Sequence, residues 1–295
     1  MNGFINIIKP PGMSSAAVVG VVRHMVGKHK VGHMGTLDPE ASGVLPLMIG
    51  RATRLFDYLI EKKKTYIAEI AFGMSTDTQD AQGTVVDCSA NIPNKESVKA
   101  VLPRFIGQIK QTPSSFSAIK QGGKPIYTMA RRGMNVNVPE RVVQIDTIDL
   151  LENTAENSYM LRVVCGRGVY IRTLLSDIGK AVGCPAYMRF LLRSASGVFM
   201  LDNAVTLQET AVLSADGRLK DVLMEMDWPL AYLERVDVPY NWIRYAKNGA
   251  GMPVCAFERI PAGEFRLYIE DAFAGIAKRD GDTVRFRTML YGEDK

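Results

Sequence analysis

The segment Gly32-His33-Met34-Gly35-Thr36-Leu37-Asp38-Pro39-Glu40-Ala41-Ser42-Gly43 carries the densest chemistry in the chain. Its glycines permit positive φ or a close approach of backbone to a ligand. The proline after Asp38 biases that aspartate toward an extended or turn conformation. An isolated Asp-Pro pair usually does no more than start a turn. Here an imidazole, several glycines and the adjoining apolar run VLPLMIG surround it. Such a loop can hold a carboxylate rigidly at the floor of a cleft.

Other chemistries find less support. His29 and His33 have the i, i+4 spacing of helical metal ligands, yet Gly32 and Gly35 flank His33 and Lys30 stands where a general-base glutamate would be. No metal site is expected. The cysteines at 88, 165, 184 and 255 form no CxxC pair, which speaks against a disulfide framework or a zinc knuckle. They read as buried thiols of a reducing compartment. No Ser-His constellation supports a hydrolase, and the absence of nucleotide or flavin motifs leads us to expect no cofactor.

The 295 residues permit one large domain, or a larger one with a small companion. Hydrophobic residues at 47% and charged residues at 23% are ordinary for a globular chain. No apolar run is long enough for a membrane helix, and the N-terminal stretch MNGFINIIKPPGMSS lacks the features of a signal peptide. A net charge of +5 decides little, but its distribution is informative. Between Thr112 and Arg141 lie Lys120, Lys124, Arg131, Arg132 and Arg141 against the single acid Glu140. With its glycines and prolines this stretch reads as a long basic insertion, and long loops in compact domains are usually functional or disordered.

The elements that must position these residues follow from pattern. Ser14 or Ser15 caps a helix through AAVVGVVRHMVG, stopped near Gly27. VLPLMIG reads as a buried strand and RATRLFDYLIE as a short helix. TYIAEIAFG alternates as a strand with Tyr66, Ala68, Ile70 and Phe72 on one face. MSTDTQDAQG is an acidic turn, and KESVKAVLPRFIGQIKQ has helical apolar spacing despite Pro103 and Gly107. Strands at VVQIDTIDLLE and YMLRVVCG precede a helix at VYIRTLLSDIGKAVG. Beyond Leu233 the short runs RLYIE, AGIAK and TVRFRTML suggest a small all-β unit over 233–295. The irregular order of strands and helices predicts an α+β fold.

The run GHMGTLDPEASGVLPLMIGRATRL resembles the signature of the TruB family of tRNA pseudouridine synthases. Further likenesses follow in the family's order through residues 3–200. Lys9-Pro10-Pro11-Gly12-Met13-Ser14-Ser15 resembles its first motif, and Lys64-Thr65-Tyr66 sits where the family carries its active-site tyrosine. Ser117-Ala118-Ile119-Lys120, Tyr127 and Ala130-Arg131-Arg132-Gly133 resemble its thumb loop, placing that insertion at about 112–143. Gly168-Val169-Tyr170-Ile171-Arg172-Thr173-Leu174 resembles the arginine motif, and Leu191-Leu192-Arg193-Ser194 the LRRT motif. Ser114, Leu192 and Ser194 depart from the usual Pro, Arg and Thr.

The resemblance implies a pseudouridine synthase fold with a central mixed, largely antiparallel sheet flanked by helices over residues 1–232. A PUA-like RNA-binding domain over 233–295 would complete it. It implies isomerisation of uridine-55 in the GUUC sequence of the tRNA T-arm, in the cytoplasm; a monomer with no obligate protein partner and no membrane is the default expectation. In that reading Asp38 is the catalytic carboxylate, attacking ribose C1′, deprotonating C2′ or, in an older proposal, attacking uracil C6. Arg172 is its partner, Tyr66 stacks on the base, Leu191 walls the uracil, and His33 fills the space of the flipped nucleotide. Lys9 and Tyr170 support the site, and the basic insertion grips phosphates. The alternatives are a guide-RNA-dependent subunit of an RNA–protein complex and a non-catalytic RNA chaperone.

Overall fold

The computed structural model describes every residue except 61, 115–119, 122–123, 127–137 and 293–295, with backbone alone at 120–121 and 124–125. Tyr127, Arg131 and Arg132 therefore lie outside the described residues.

One ten-stranded sheet organises residues up to Thr206. Its centre is built from runs too apolar to face water on either side. β1 (Gly3–Lys9) and β3 (Ser42–Ile49) pair antiparallel from Gly3↔Ile49 to Lys9↔Gly43. Phe4, Ile5, Ile7, Leu45, Leu47 and Ile49 are all fully buried. Each such side chain contributes roughly 1.5–3 kcal/mol relative to exposure. The short β2 (Val31–His33) flanks β3. β4 (Lys64–Phe72) runs antiparallel to β9 (Ser158–Cys165) on one side and to β10 (Ala186–Ser196) on the other.

Beyond β9 come β8 (Arg141–Ala155) and the edge strand β7 (Gly107–Gln111), while β11 (Val205–Thr206) closes the other edge. The order is β11–β1–β3–β10–β4–β9–β8–β7, with β2 and the two-residue strand Phe199–Met200 off this path. Among the described residues of this sheet, only β11·β1 and β3·β10 are parallel. The fold is thus α+β with a mixed, largely antiparallel sheet.

The helices match their sequence signals in most places. α1 (Ser15–Val26) buries Val18, Val19, Val22 and Val26, with the Ala17 N–H donating to the Ser14 side chain at 3.1 Å. This is the N-cap arrangement that serine favours. α3 (Ile171–Val182) presents Leu174, Leu175 and Ile178 to the sheet and ends at Gly183 in the left-handed conformation. The helix predicted through KESVKAVLPRFIGQIKQ is corrected. α2 (Lys95–Val101) stops before a 3-10 turn that has Pro103 near its start, and Gly107 at φ +97 opens β7. Proline removes a donor and glycine takes the positive φ, so the apolar period changes from helical to extended there. RATRLFDYLIE divides similarly, into a 3-10 turn over Gly50–Leu55 and a single α-turn over Phe56–Leu59. A hairpin of β5 (Met74–Thr76) and β6 (Val85–Cys88) holds the acidic turn between its strands.

The C-terminal region forms a separate five-stranded sheet: β12 (Arg235–Asp237), β13 (Met252–Pro253), β14 (Glu264–Ile269), β15 (Ala272–Asp280) and β16 (Thr283–Met289). Its order is β12–β14–β15–β16–β13. Phe265, Leu267, Ile269 and Val284 build its own core. Ile276 and Leu290, however, pack into a seam with Phe4, Val44, Leu55, Leu59 and Phe199 of the larger region.

Candidate active site

The loop after β2 is pinned from two sides. Ser15 at the start of α1 is buried, accepts from the Leu37 N–H at 2.9 Å and donates to the Leu37 carbonyl at 3.1 Å. Because Ser14 provides the cap, Ser15 is left to hold the loop. Lys9, at the end of β1, is fully buried. Its ammonium donates to the carbonyls of Pro10, Met13 and Pro39 at 2.7, 2.6 and 2.7 Å. Burial pushes its pKa down to about 8, with Glu40 and Asp38 opposing the shift. The loop closes with the Ala41 N–H donating to the Asp38 carbonyl at 3.1 Å. At Gly43 a Cβ would come within 2.2 Å of the Arg193 carbonyl, so only glycine allows β3 and β10 to meet there.

Asp38 so placed lies in a cleft of about 400 Å³ whose lining also includes His33, Tyr66, Tyr170, Arg172 and Leu191. Arg172, in the first turn of α3, binds Asp38 through both ends of the carboxylate: Nε to Oδ2 at 3.0 Å and Nη2 to Oδ1 at 3.4 Å. Its Nη1 donates to Asp80 Oδ2 and to the Thr78 carbonyl, each at 3.1 Å. The Asp38 side chain is 39% exposed and that of Arg172 only 7%. The carboxylate is therefore offered to the cleft while its partner is held behind it. A planar guanidinium suits this two-point grip, which fixes orientation as well as charge.

β4 and β10 provide the opposite wall. Their register sets Leu191 against Ala68 and Arg193 against Tyr66, so Tyr66, Leu191 and Arg193 share the cleft-facing side. Burial raises the Tyr66 phenol above its ordinary pKa; the Arg193 guanidinium, which interacts with the hydroxyl, opposes that rise. Arg193 is fully buried, with Nε donating to the Val44 carbonyl at 2.7 Å and Nη2 to the Gly35 carbonyl at 3.1 Å. Burial, assisted by the Arg193 charge, lowers the His33 pKa below the ordinary imidazole value. Its ring is then neutral near pH 7.

His33, Asp38, Tyr66, Tyr170, Arg172 and Leu191 all line the cleft, and Lys9 holds the loop beside Asp38 without lining it. Arg131 and Arg132 lie outside the described residues, as do the side chains of Lys120 and Lys124. Arg141 lies over the Tyr170 ring, 5.6 Å from its centroid. The sequence reading missed three residues. Asp80 stood in a turn read only as acidic. Arg193 sits within the LRRT-like motif, which gives it no task of its own. Gln111 falls in a segment whose apolar spacing is helical, yet it accepts from the Tyr170 N–H at 3.1 Å and donates to the Tyr170 carbonyl at 3.3 Å, fixing the entry to α3. No local signal marks any of the three, because each acts on a residue far away in sequence.

The description "TruB family pseudouridylate synthase (N terminal domain)" matches residues 23–171, and "tRNA pseudouridylate synthase B C-terminal domain" matches 172–231. A tRNA pseudouridine synthase B of Alkaliphilus oremlandii is 42% identical over 279 residues, covering 93% of this chain and 92% of that protein. One of Bacillus velezensis is 39% identical over 290 residues, covering 96% and 92%. Among solved structures, an H/ACA RNP bound to a substrate RNA containing 2′-deoxyuridine superposes with a TM-score of 0.74 at 23% identity, covering 99% of this chain and 86% of that one. The archaeal box H/ACA sRNP Nop10–Cbf5 complex gives 0.73 at 24%, covering 98% and 86%. Those two likenesses concern the fold alone. The family match and the extent of the bacterial relatives establish that the chain belongs to the TruB family of pseudouridylate synthases.

Proposed function

We propose that the chain isomerises uridine-55 in the T-arm of tRNA to pseudouridine, with Asp38 as its catalytic carboxylate and no cofactor. The observation that carries this is the Asp38–Arg172 pair set in a cleft of about 400 Å³. The reaction breaks the N1–C1′ bond, turns the uracil and forms C5–C1′, losing a proton from C5 and gaining one at N1. It involves no redox change. What the protein must provide is a carboxylate, orientation and a closed site. Attack at C1′ and proton abstraction at C2′ both use the carboxylate that Arg172 holds.

A uridine inside a folded T-arm is stacked, and extruding it costs a few kcal/mol. The neutral ring of His33 at the cleft suits it to stack in the gap left behind, and Tyr66 and Leu191 suit the two faces of the uracil. Phosphate contacts from Lys120, Lys124, Arg131, Arg132 and Arg141 offset the extrusion and make affinity fall with salt. Residues 233–295 act as a PUA-like RNA-binding domain. The protein works in the cytoplasm as a monomer, and opening the T-arm also lets it assist tRNA folding. The H/ACA likeness raises a second reading, that of a guide-dependent subunit; activity of the purified chain on tRNA alone separates the two.

The test is tritium release from tRNA transcripts labelled at uridine C5. Wild type is expected to release label without guide RNA or cofactor. Asp38→Asn is expected to release none while binding tRNA within severalfold of wild type. Comparable release from both would remove Asp38 from the mechanism.

A further inference from the structure

The cleft wall over residues 56–60 is held from behind by the C-terminal sheet. Phe56 and Ile60 line the cleft. Between them Leu59 turns the other way and, with Leu55, packs in the seam against Ile276 and Leu290. The segment is gripped at its polar positions as well. Arg51 Nη1 donates to the carbonyls of Leu290 and Gly292, the latter at 2.6 Å. Arg54 Nη1 donates to the Met289 carbonyl at 2.5 Å. The Tyr58 hydroxyl meets that of Thr288 at 3.1 Å, and the Tyr58 carbonyl accepts from the Tyr232 hydroxyl at 3.1 Å. Lys64, itself at the cleft, donates to the Ile60 carbonyl at 3.0 Å.

A 3-10 turn followed by one turn of α-helix has little stability of its own. Its position is set by what it docks on: Phe4, Val44 and Phe199 of the larger region on one side, and on the other Ile276, Leu290 and the residues that end β16. We propose that the C-terminal unit is a positioning element for the nucleoside cleft: through Arg51, Arg54 and Tyr58 it fixes the Phe56–Ile60 wall, and so sets the rate of the step that follows RNA binding. This role is separate from any contact the unit makes with RNA. It rests on the cleft being the uridine site. The chemistry is chosen for the purpose, because charged donors aimed at backbone carbonyls hold main chain to main chain regardless of the side chains at the end of β16. A guanidinium bonded to a carbonyl is also stronger than a neutral hydrogen bond.

The experiment uses the full-length chain, a T-arm stem-loop RNA, and the variants Arg54→Met and Arg51→Met/Arg54→Met. Affinity is measured by filter binding and the chemical step by single-turnover conversion at saturating RNA. The double variant is expected to convert with full amplitude at a rate constant lowered ~10- to 100-fold, the scale of a small misplacement transmitted from outside the chemistry. RNA affinity is expected to stay within about threefold, which separates a lost orientation from lost binding. Arg54→Met alone is expected to show a smaller drop, and Arg54→Lys to recover most of it. A wild-type rate constant in the double variant would overturn the proposal. So would a reduced amplitude at the wild-type rate constant, the sign of mere partial unfolding, or a loss confined to affinity. If wild type converted no uridine, the functional assignment would fall first; an active wild type beside an unaltered double variant sinks this inference alone.

Discussion

Arg172 and Arg193 stand on facing walls of one cleft and are held in opposite ways. Arg172 lies between two carboxylates, Asp38 and Asp80, with one carbonyl added by Thr78. Arg193 pairs with no carboxylate among the described residues; it rests on the Val44 and Gly35 carbonyls. Lys9 follows the second pattern, on three carbonyls. A cation between carboxylates orients an anion that must stay available for chemistry. A cation on carbonyls instead fastens main-chain segments together, here the loop from Gly35 to Pro39 to the strands beneath it. The first arrangement suits the catalysis proposed above, and the second suits architecture.

Arg172→Met breaks this comparison most directly. Asp38 would keep its place in the loop and lose the two contacts that aim it. Conversion of T-arm RNA is expected to fall on the order of 100-fold, the cost of misdirecting a reacting group. The urea unfolding midpoint is expected to fall less than in Arg193→Met, because Asp38 and Asp80 both retain access to water. Near-wild-type conversion would place Arg172 with the architectural cations.

Arg193→Met tests the other side. The buried Val44 carbonyl and the half-buried Gly35 carbonyl would both lose their side-chain donor, and each buried unsatisfied group costs roughly 1–3 kcal/mol. A loss of about 2 kcal/mol or more in unfolding free energy is expected, measured by urea titration. Conversion by the folded fraction is expected to drop less than in Arg172→Met. Unchanged or increased stability would mean that burying the guanidinium costs as much as its hydrogen bonds return, as happens with some buried ion pairs.

These cations also mark where sequence stops informing. The loop at Asp38 was legible because its composition is local: glycines, an imidazole and Asp-Pro lie within a dozen positions. Strand β4 was legible from its alternation, and α1 and α3 from their apolar spacing and terminal glycines. Strand β10 carried no such signal. In AYMRFLLRSAS an arginine occupies a fully buried position, and a charge there defeats a period-two reading. Asp80 lies 92 residues from the arginine it serves, and nothing in MSTDTQDAQG distinguishes it from a solvated turn. Residues 95–111 failed for the opposite reason. Their helical spacing is real, but Pro103 and Gly107 decide the backbone. Local chemistry was readable, then, while partners brought together only by the sheet were not.

The last prediction concerns Lys9 and sharpens the architectural class. Its ordinary pKa of 10.5 is lowered to about 8 in the fold. Below about 8 the ammonium is charged both folded and unfolded, and its desolvation weighs constantly against the fold. Between about 8 and 10.5 the unfolded chain binds a proton that the folded chain has released, so stability rises with pH across that window. Above 10.5 neither state holds the proton and the contribution is flat. Urea midpoints for wild type minus those for Lys9→Met are expected to climb through this range, with other titrating groups cancelling in the difference. A flat difference would mean that the carbonyls of Pro10, Met13 and Pro39 hold the charged form as well as water does. Lys9 would then be an ammonium fully compensated by the main chain, and burial would have no claim on its proton.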